Sequence, residues 1–198
     1  MNKSIFTLLL AGCVFSVSAQ DIELPTPQKT GGMPLMEALN LRQTTREFSS
    51  EELDLQTLSD LLWAAYGFNR PDKRVVPSAN NKQEIDLYVC LKSGIYFYDA
   101  NANRLIQKVE GDHRKSMGKQ DFVWNAPLNV FLVGNSDISG SYQIDSGFIV
   151  QNIYLFCASM DLATVVRGYF DAKEIHDLMN FTDQQVVVIT QTVGHKKS

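Results

Sequence analysis

Residues 144–160 constrain the fold more than any other stretch of this chain. Read at the helical period, Phe148, Ile149, Ile153, Phe156, Cys157 and Met160 fall on one face, and the segment is long enough to be a central core helix. Such a helix needs covering layers, and the flanking sequence supplies them. Ile85 to Leu91 alternates Ile, Leu, Val and Leu with Asp, Tyr and Cys, which is strand periodicity. Gly94 to Tyr98 and Arg104 to Val109 flank the turn-forming run from Asp99 to Asn103, so this region reads as an antiparallel meander. Leu128 to Val133 is a further strand, apolar at its centre, and Thr164 to Val166 and Val186 to Val193 are strands around a helix at Ala172 to Met179. Nearer the N-terminus, Asp54 is placed to cap a helix carrying Leu55, Leu58, Leu61, Leu62 and Ala65, with Gly67 as its C′ residue. Pro34 opens a shorter helix through Leu41. The pattern predicts an α+β domain: a mixed, mainly antiparallel sheet flanked by helices.

The N-terminal end carries a different signal. Met1 to Lys3 is a short positive region, Ile5 to Val17 is mostly apolar, and Val17-Ser18-Ala19 offers small residues before Gln20. Residues 1–19 therefore read as a secretory signal peptide, whose apolar part is too short for a stable membrane span. Leu10-Ala11-Gly12-Cys13 also has the shape of a lipoprotein cleavage box, with Cys13 as the lipid site, although apolar residues continue past Cys13. The expected location is export, to the periplasm. Residues 20–33 hold two prolines and Gly31-Gly32 without periodicity and read as a flexible lead segment, leaving 34–198 as one domain. Cys90 and Cys157 sit outside any Cys-x-x-Cys or Cys/His spacing, so either two buried thiols or an export-permitted disulfide fits.

The net charge of −4, with Lys and Arg scattered among slightly more Asp and Glu, excludes a phosphate-neutralising stripe and hence a nucleic-acid partner. No Gly-x-Ser-x-Gly, His-Glu-x-x-His, P-loop or dinucleotide-fold glycine pattern is present, and His113, His176 and His195 read as surface residues. An enzyme without its own nucleophile or metal draws its reactivity from a cofactor. Four segments could hold one. Arg42, Gln43, Thr44 and Arg46 put two guanidinium groups four residues apart with amide and hydroxyl donors between them, a set suited to phosphate; equally, both arginines could pair with Glu47 or Glu51 in a solvated loop. Pro77, Ser78, Ala79 and Asn81 form a small polar turn able to line a heterocycle edge or simply to cap a helix. Val166, Gly168 and Tyr169 mark a strand ending at a glycine, where backbone can approach a ring closely. Lys196 and Lys197 close the last strand as a second phosphate clamp or an ordinary charged tail. Trp124 is a candidate wall of a substrate pocket or a core residue.

In order and spacing these segments resemble the nitroreductase-like flavoenzymes, and within them the branch related to thiazoline/oxazoline dehydrogenases. Arg42-Gln43-Thr44-Thr45-Arg46-Glu47-Phe48 is similar to the family's Arg-x-Ser-x-Arg-x-Phe box, Leu61-Leu62-Trp63-Ala64-Ala65-Tyr66-Gly67 to its Leu-Leu-Trp-Ala-Ala-x-Gly signature, and Pro77-Ser78-Ala79-Asn80-Asn81 to its Pro-Ser-Ser/Ala-x-Asn turn. Gly94 to Tyr98, Ala126-Pro127, Asp145 to Asn152 and Arg167 to Asp171 continue the match. The resemblance implies FMN as cofactor, with the first box on its phosphate and N1/O2 edge and the Pro77 turn reaching it across a homodimer interface. It also implies ping-pong electron transfer through flavin N5 to or from a small organic substrate such as a quinone or nitroaromatic. Gly168-Tyr169 stands where many relatives carry Glu-Gly, so no acidic residue is carried over there. Dimerisation suits a domain that buries roughly 70% of its unfolded surface alone and whose 144–160 helix is so apolar. Export would remove NAD(P)H as donor, leaving an exported electron carrier or the substrate itself; the alternative is an exported, non-catalytic flavin-binding or partner-binding protein on the same scaffold.

Overall fold

The computed structural model describes residues 20–197; the signal-peptide reading of 1–19 and the lipid site at Cys13 lie outside the described residues. A seven-stranded sheet organises the chain. Its strands are β1 (Ile22–Glu23), β4 (Ile85–Leu91), β5 (Gly94–Asp99), β6 (Arg104–Glu110), β7 (Leu128–Asn135), β8 (Leu162–Arg167) and β9 (Gln185–His195), in the order β1-β6-β5-β4-β7-β9-β8. Every pairing within it is antiparallel. A two-stranded hairpin, β2 (Phe68–Arg70) with β3 (Lys73–Arg74), stands apart from it.

The alternation in β4 sends its residues to two different cores. Leu87 and Val89 join Val130 and Leu132 of β7 on one face, under α2 (Leu55–Tyr66) and α4 (Tyr142–Ser159). Tyr88 and Cys90 join Phe131 and Val133 on the other, under α5 (Ala172–Met179) and α3 (Asp121–Asn125). Both faces are therefore dry, which is why β4 and β7 read as nearly continuous apolar runs. Cys90 and Cys157 are buried in opposite layers as free thiols, settling that choice against a disulfide.

α4 turns Ile149, Ile153 and Cys157 onto the sheet, and α1 (Leu35–Leu41) and α2 pack beside it. Yet Ile144 and Phe148 on its far side are 69% and 41% exposed, so the helix is apolar on more than the face that the sheet covers. α2 begins as its sequence requires, with the Asp54 carboxylate accepting from Thr57 N. Its end differs from expectation: Gly67 is extended rather than left-handed, and glycine is needed because a Cβ would lie 2.8 Å from the Trp63 carbonyl oxygen and against the Trp63 ring.

Residues 20–33 are not the flexible lead that their composition suggests. Ile22 pairs with Leu105, Leu24 enters the core, Gln28 N donates to the Asp60 carboxylate, and Met33 N donates to Ser159 Oγ. Isolated anchors at spacings of a few residues leave no periodicity, so the sequence pattern could not reveal them. Among the described residues no helix is long and apolar enough to cross a membrane.

Candidate cofactor site

β8 is the outermost strand of the sheet, and a free strand edge must find partners or exclude them. The first arginine box does the covering. Thr45 N donates to Thr164 O at 3.0 Å, while the outward N–H of Val166 is taken by the Tyr154 hydroxyl at 3.1 Å. That same hydroxyl lies 3.0 Å from Thr44 Oγ1, so one α4 side chain joins the box to the strand. Downstream, Phe48 bridges to Lys196 and Ser49 N donates to His195 O. Gly194 makes this possible, because a Cβ there would sit 2.7 Å from Pro127 Cδ and 3.4 Å from Phe48. Residues 44–49 and the last strand with Lys196 thus meet at one corner of the sheet.

Arg42 lies over the Tyr154 ring, 5.2 Å from its centroid. Gln43, Thr164 and Lys196 line a hollow of about 280 Å³ with Tyr154, and Arg46 and Lys197 line a shallower one of about 380 Å³ with Phe48 and Phe122. Among the described residues neither arginine forms an ion pair, so the expected alternative of pairing with Glu47 or Glu51 does not occur. Lys196 is different, since its ammonium is held by Asp161.

The Pro77 turn lies elsewhere. Ala79 N donates to Asp145 Oδ2 at 2.8 Å and Ser78 Oγ accepts from Gln83 N, while Asn80, Asn81 and Gln83 all adopt positive φ. Three left-handed residues in four are costly, and such backbone persists only where its surroundings hold it. Asp145 is in the first turn of α4 and Tyr154 is nine residues further on, a separation of about 14 Å along the axis. Within one chain, then, Arg42, Gln43, Thr44, Val166 and Lys196 gather around Tyr154 and its hollow, Arg46 and Lys197 line the separate hollow beside Phe48, and Pro77, Ser78, Ala79 and Asn81 join neither. Gly168 and Tyr169 follow β8 in an exposed loop; a Cβ on Gly168 would meet nothing, and Tyr169 is 64% exposed. Trp124 is partly buried in the second core and donates to Gly118 O, which makes it structural.

Sequence reasoning missed Tyr154 and Glu84 here, and placed Arg167 in a matching segment without giving it a role. Tyr154 carries the box, and a lone tyrosine beside Ile153 gave no signal of it. Glu84 is 2% exposed with neither carboxylate oxygen hydrogen-bonded among the described residues; burial pushes its carboxyl up, and the Asp145 carboxyl beside it adds to that. Arg167 is buried with no carboxylate partner among the described residues, donating instead to Thr192 Oγ1, Met117 O and Asn129 Oδ1, and desolvation pulls its guanidinium down to about 10. It ties the end of β8 to β7, β9 and the 3₁₀ turn Arg114–Met117.

Comparison with known proteins assigns the chain to a family. Residues 39–195 match the nitroreductase family. A protein of Methanocaldococcus jannaschii that bears the nitroreductase name is 27% identical over 198 aligned residues, covering 89% of this chain and 96% of its own. A crystal structure of a Ralstonia eutropha JMP134 protein, also under the nitroreductase name, superposes with a TM-score of 0.84 at 36% identity, covering 99% of this chain and 98% of that one. An FMN-dependent nitroreductase from Clostridium difficile R20291 shares the fold at 16% identity, with a TM-score of 0.61 over 82% of this chain and 88% of its own. The chain belongs to the nitroreductase family of oxidoreductases.

Proposed function

We propose that this protein is an FMN-dependent oxidoreductase of the thiazoline/oxazoline dehydrogenase-related branch, acting as a homodimer on a small organic substrate such as a quinone or nitroaromatic. The observation that carries the reading is the donor set at the sheet corner: two guanidinium groups without carboxylate partners among the described residues, an amide, a hydroxyl and two lysines, drawn from residues 42–46 and 196–197 around two hollows. Such a set fits a mononucleotide phosphate and the polar edge of its ring. Bound FMN would supply two-electron transfer through its N5. Arg42 and the terminal lysines would hold the phosphate, with Asp161 keeping Lys196 in place. Arg46 would stabilise negative charge at the N1/O2 edge, an effect on the order of a few kcal/mol in a partly dry site.

A second copy explains the turn that stands apart. If two chains pack through the exposed Ile144–Phe148 side of α4 about a two-fold axis, antiparallel helices bring the Asp145 end of one to the Tyr154 end of the other. Pro77, Ser78, Ala79 and Asn81 of one subunit then face the arginine box of its partner. Gly168 and Tyr169 would present backbone and an aromatic ring to the cofactor in place of an acidic side chain. We read the chain as exported, so that an exported carrier or the substrate itself is the electron source.

Anaerobic reduction of the FMN-loaded protein, followed by mixing with quinones, nitroaromatics or oxygen, tests the reading. Saturable reoxidation that depends on acceptor concentration is expected. Flavin that binds but shows no acceptor-dependent reoxidation would make the protein a binder on this scaffold, and failure to take up FMN would refute the cofactor assignment.

A further inference from the structure

The β2–β3 hairpin, which polar composition alone would leave as a loop, builds a cationic cleft against the Pro77 turn. Its volume is about 430 Å³; Arg70, Lys73 and Arg74 line it together with Val76, Pro77 and Ser78. Arg74 is fixed. Its guanidinium is sandwiched between the Tyr66 and Phe68 rings at 4.0 and 4.1 Å and donates to Tyr66 O and Gln83 Oε1. Both acceptors are neutral, and Asp86 attracts it only from beyond ion-pair distance. Arg70 donates to Asn69 Oδ1 and touches no carboxylate among the described residues. Lys73 pairs with Asp72, a side chain 74% exposed and so well screened by water. Three cations against one contacting carboxylate leave the cleft positive on a chain whose net charge is −4. The valine and proline supply an apolar floor, and the Ser78 hydroxyl, which accepts from Gln83 N, keeps its proton to donate.

We infer that this cleft binds the anionic group of a flat aromatic electron acceptor, so that the preferred acceptors are organic anions carrying a carboxylate or sulfonate. The inference rests on the dimeric FMN reading, because the Pro77 turn that forms one wall is the segment that reaches the partner's flavin. A fixed guanidinium on an aromatic stack is preorganised, so little ordering opposes capture of the anion. Arg70 is exposed and Lys73 half-exposed, so both are screened charges that add attraction sensitive to salt.

The test uses reduced, FMN-loaded protein and its Arg70→Gln/Lys73→Gln variant, with naphthoquinone sulfonate and uncharged menadione as acceptors in single-turnover reoxidation. Both substitutions are at exposed or half-exposed positions and leave the Arg74 stack intact. The ratio of half-saturating concentrations, sulfonate over menadione, is expected to rise about tenfold in the variant, and raised ionic strength should do the same to the wild type. An unchanged ratio overturns the inference. Equilibrium dialysis of naphthoquinone sulfonate against both proteins as purified needs no flavin. Weaker binding by the variant supports the cleft even where flavin is missing and only the cofactor reading fails, whereas equal binding refutes the cleft.

Discussion

Tyr154 is the side chain on which the arginine box depends, and Tyr154→Phe isolates its hydroxyl. The oxygen accepts from Val166 N at 3.1 Å and meets Thr44 Oγ1 at 3.0 Å, while the ring is 7% exposed. Phenylalanine fills the same space, so no cavity opens and only polar bonds are lost. A neutral hydrogen bond contributes about 0.5–1.5 kcal/mol net, and a buried donor left alone costs about 1–3 kcal/mol. Thr44 is exposed and can turn to water, but the half-buried Val166 N–H on the sheet edge cannot do so fully. The expected loss is therefore about 1–2 kcal/mol of folding stability. Urea unfolding followed by circular dichroism should show a lower midpoint at unchanged slope. With the box released from the strand, FMN affinity measured by flavin fluorescence should fall about tenfold, equivalent to about 1.4 kcal/mol. A midpoint within error of the wild type together with undiminished FMN binding would refute the claim that this hydroxyl holds the box.

Other expectations follow from the same geometry. Arg42→Ala removes a guanidinium that forms no ion pair among the described residues, so the purified variant should retain little FMN by absorbance; full retention would remove Arg42 from the phosphate site. Asp145→Ala frees the Ala79 amide and should loosen the Pro77 turn. Co-expressed Arg42→Ala and Asp145→Ala chains should then recover one FMN per mixed dimer, because one of its two sites is wild type on both sides, and no recovery would contradict a site shared between subunits. Glu84 has its folded pKa raised, so its neutral form stabilises the fold below the ordinary carboxylate value and that contribution is lost as pH rises through the raised value. Glu84→Gln should accordingly gain melting temperature relative to the wild type as pH increases from 5 to 8, and a pH-independent difference would show that Glu84 is not the group responsible.

The sheet and the helices were legible because their apolar periodicity is imposed by burial on both faces, as Leu87 and Tyr88 of adjacent register show. Residues 20–33 and the β2–β3 hairpin were not, since they are held by single anchors such as Leu24, the Gln28 amide and the Arg74 stack, which leave no repeat to read. The arginine box was visible as chemistry, but its place was not. That place follows from β8 lying at the edge of the sheet, a property of strand order that local sequence does not carry. The turn at Pro77 was equally visible, and its distance from the box is the gap that the proposed dimer, packed on Ile144 and Phe148, would bridge.

Sedimentation velocity, recorded both in the ultraviolet and in the visible band of flavin, reads subunit association and cofactor retention in one experiment. A single boundary at twice the chain mass, carrying two flavins per particle, is expected. Protein sedimenting at the mass of one chain, with added FMN left behind as free small molecule, would contradict the shared site at its root.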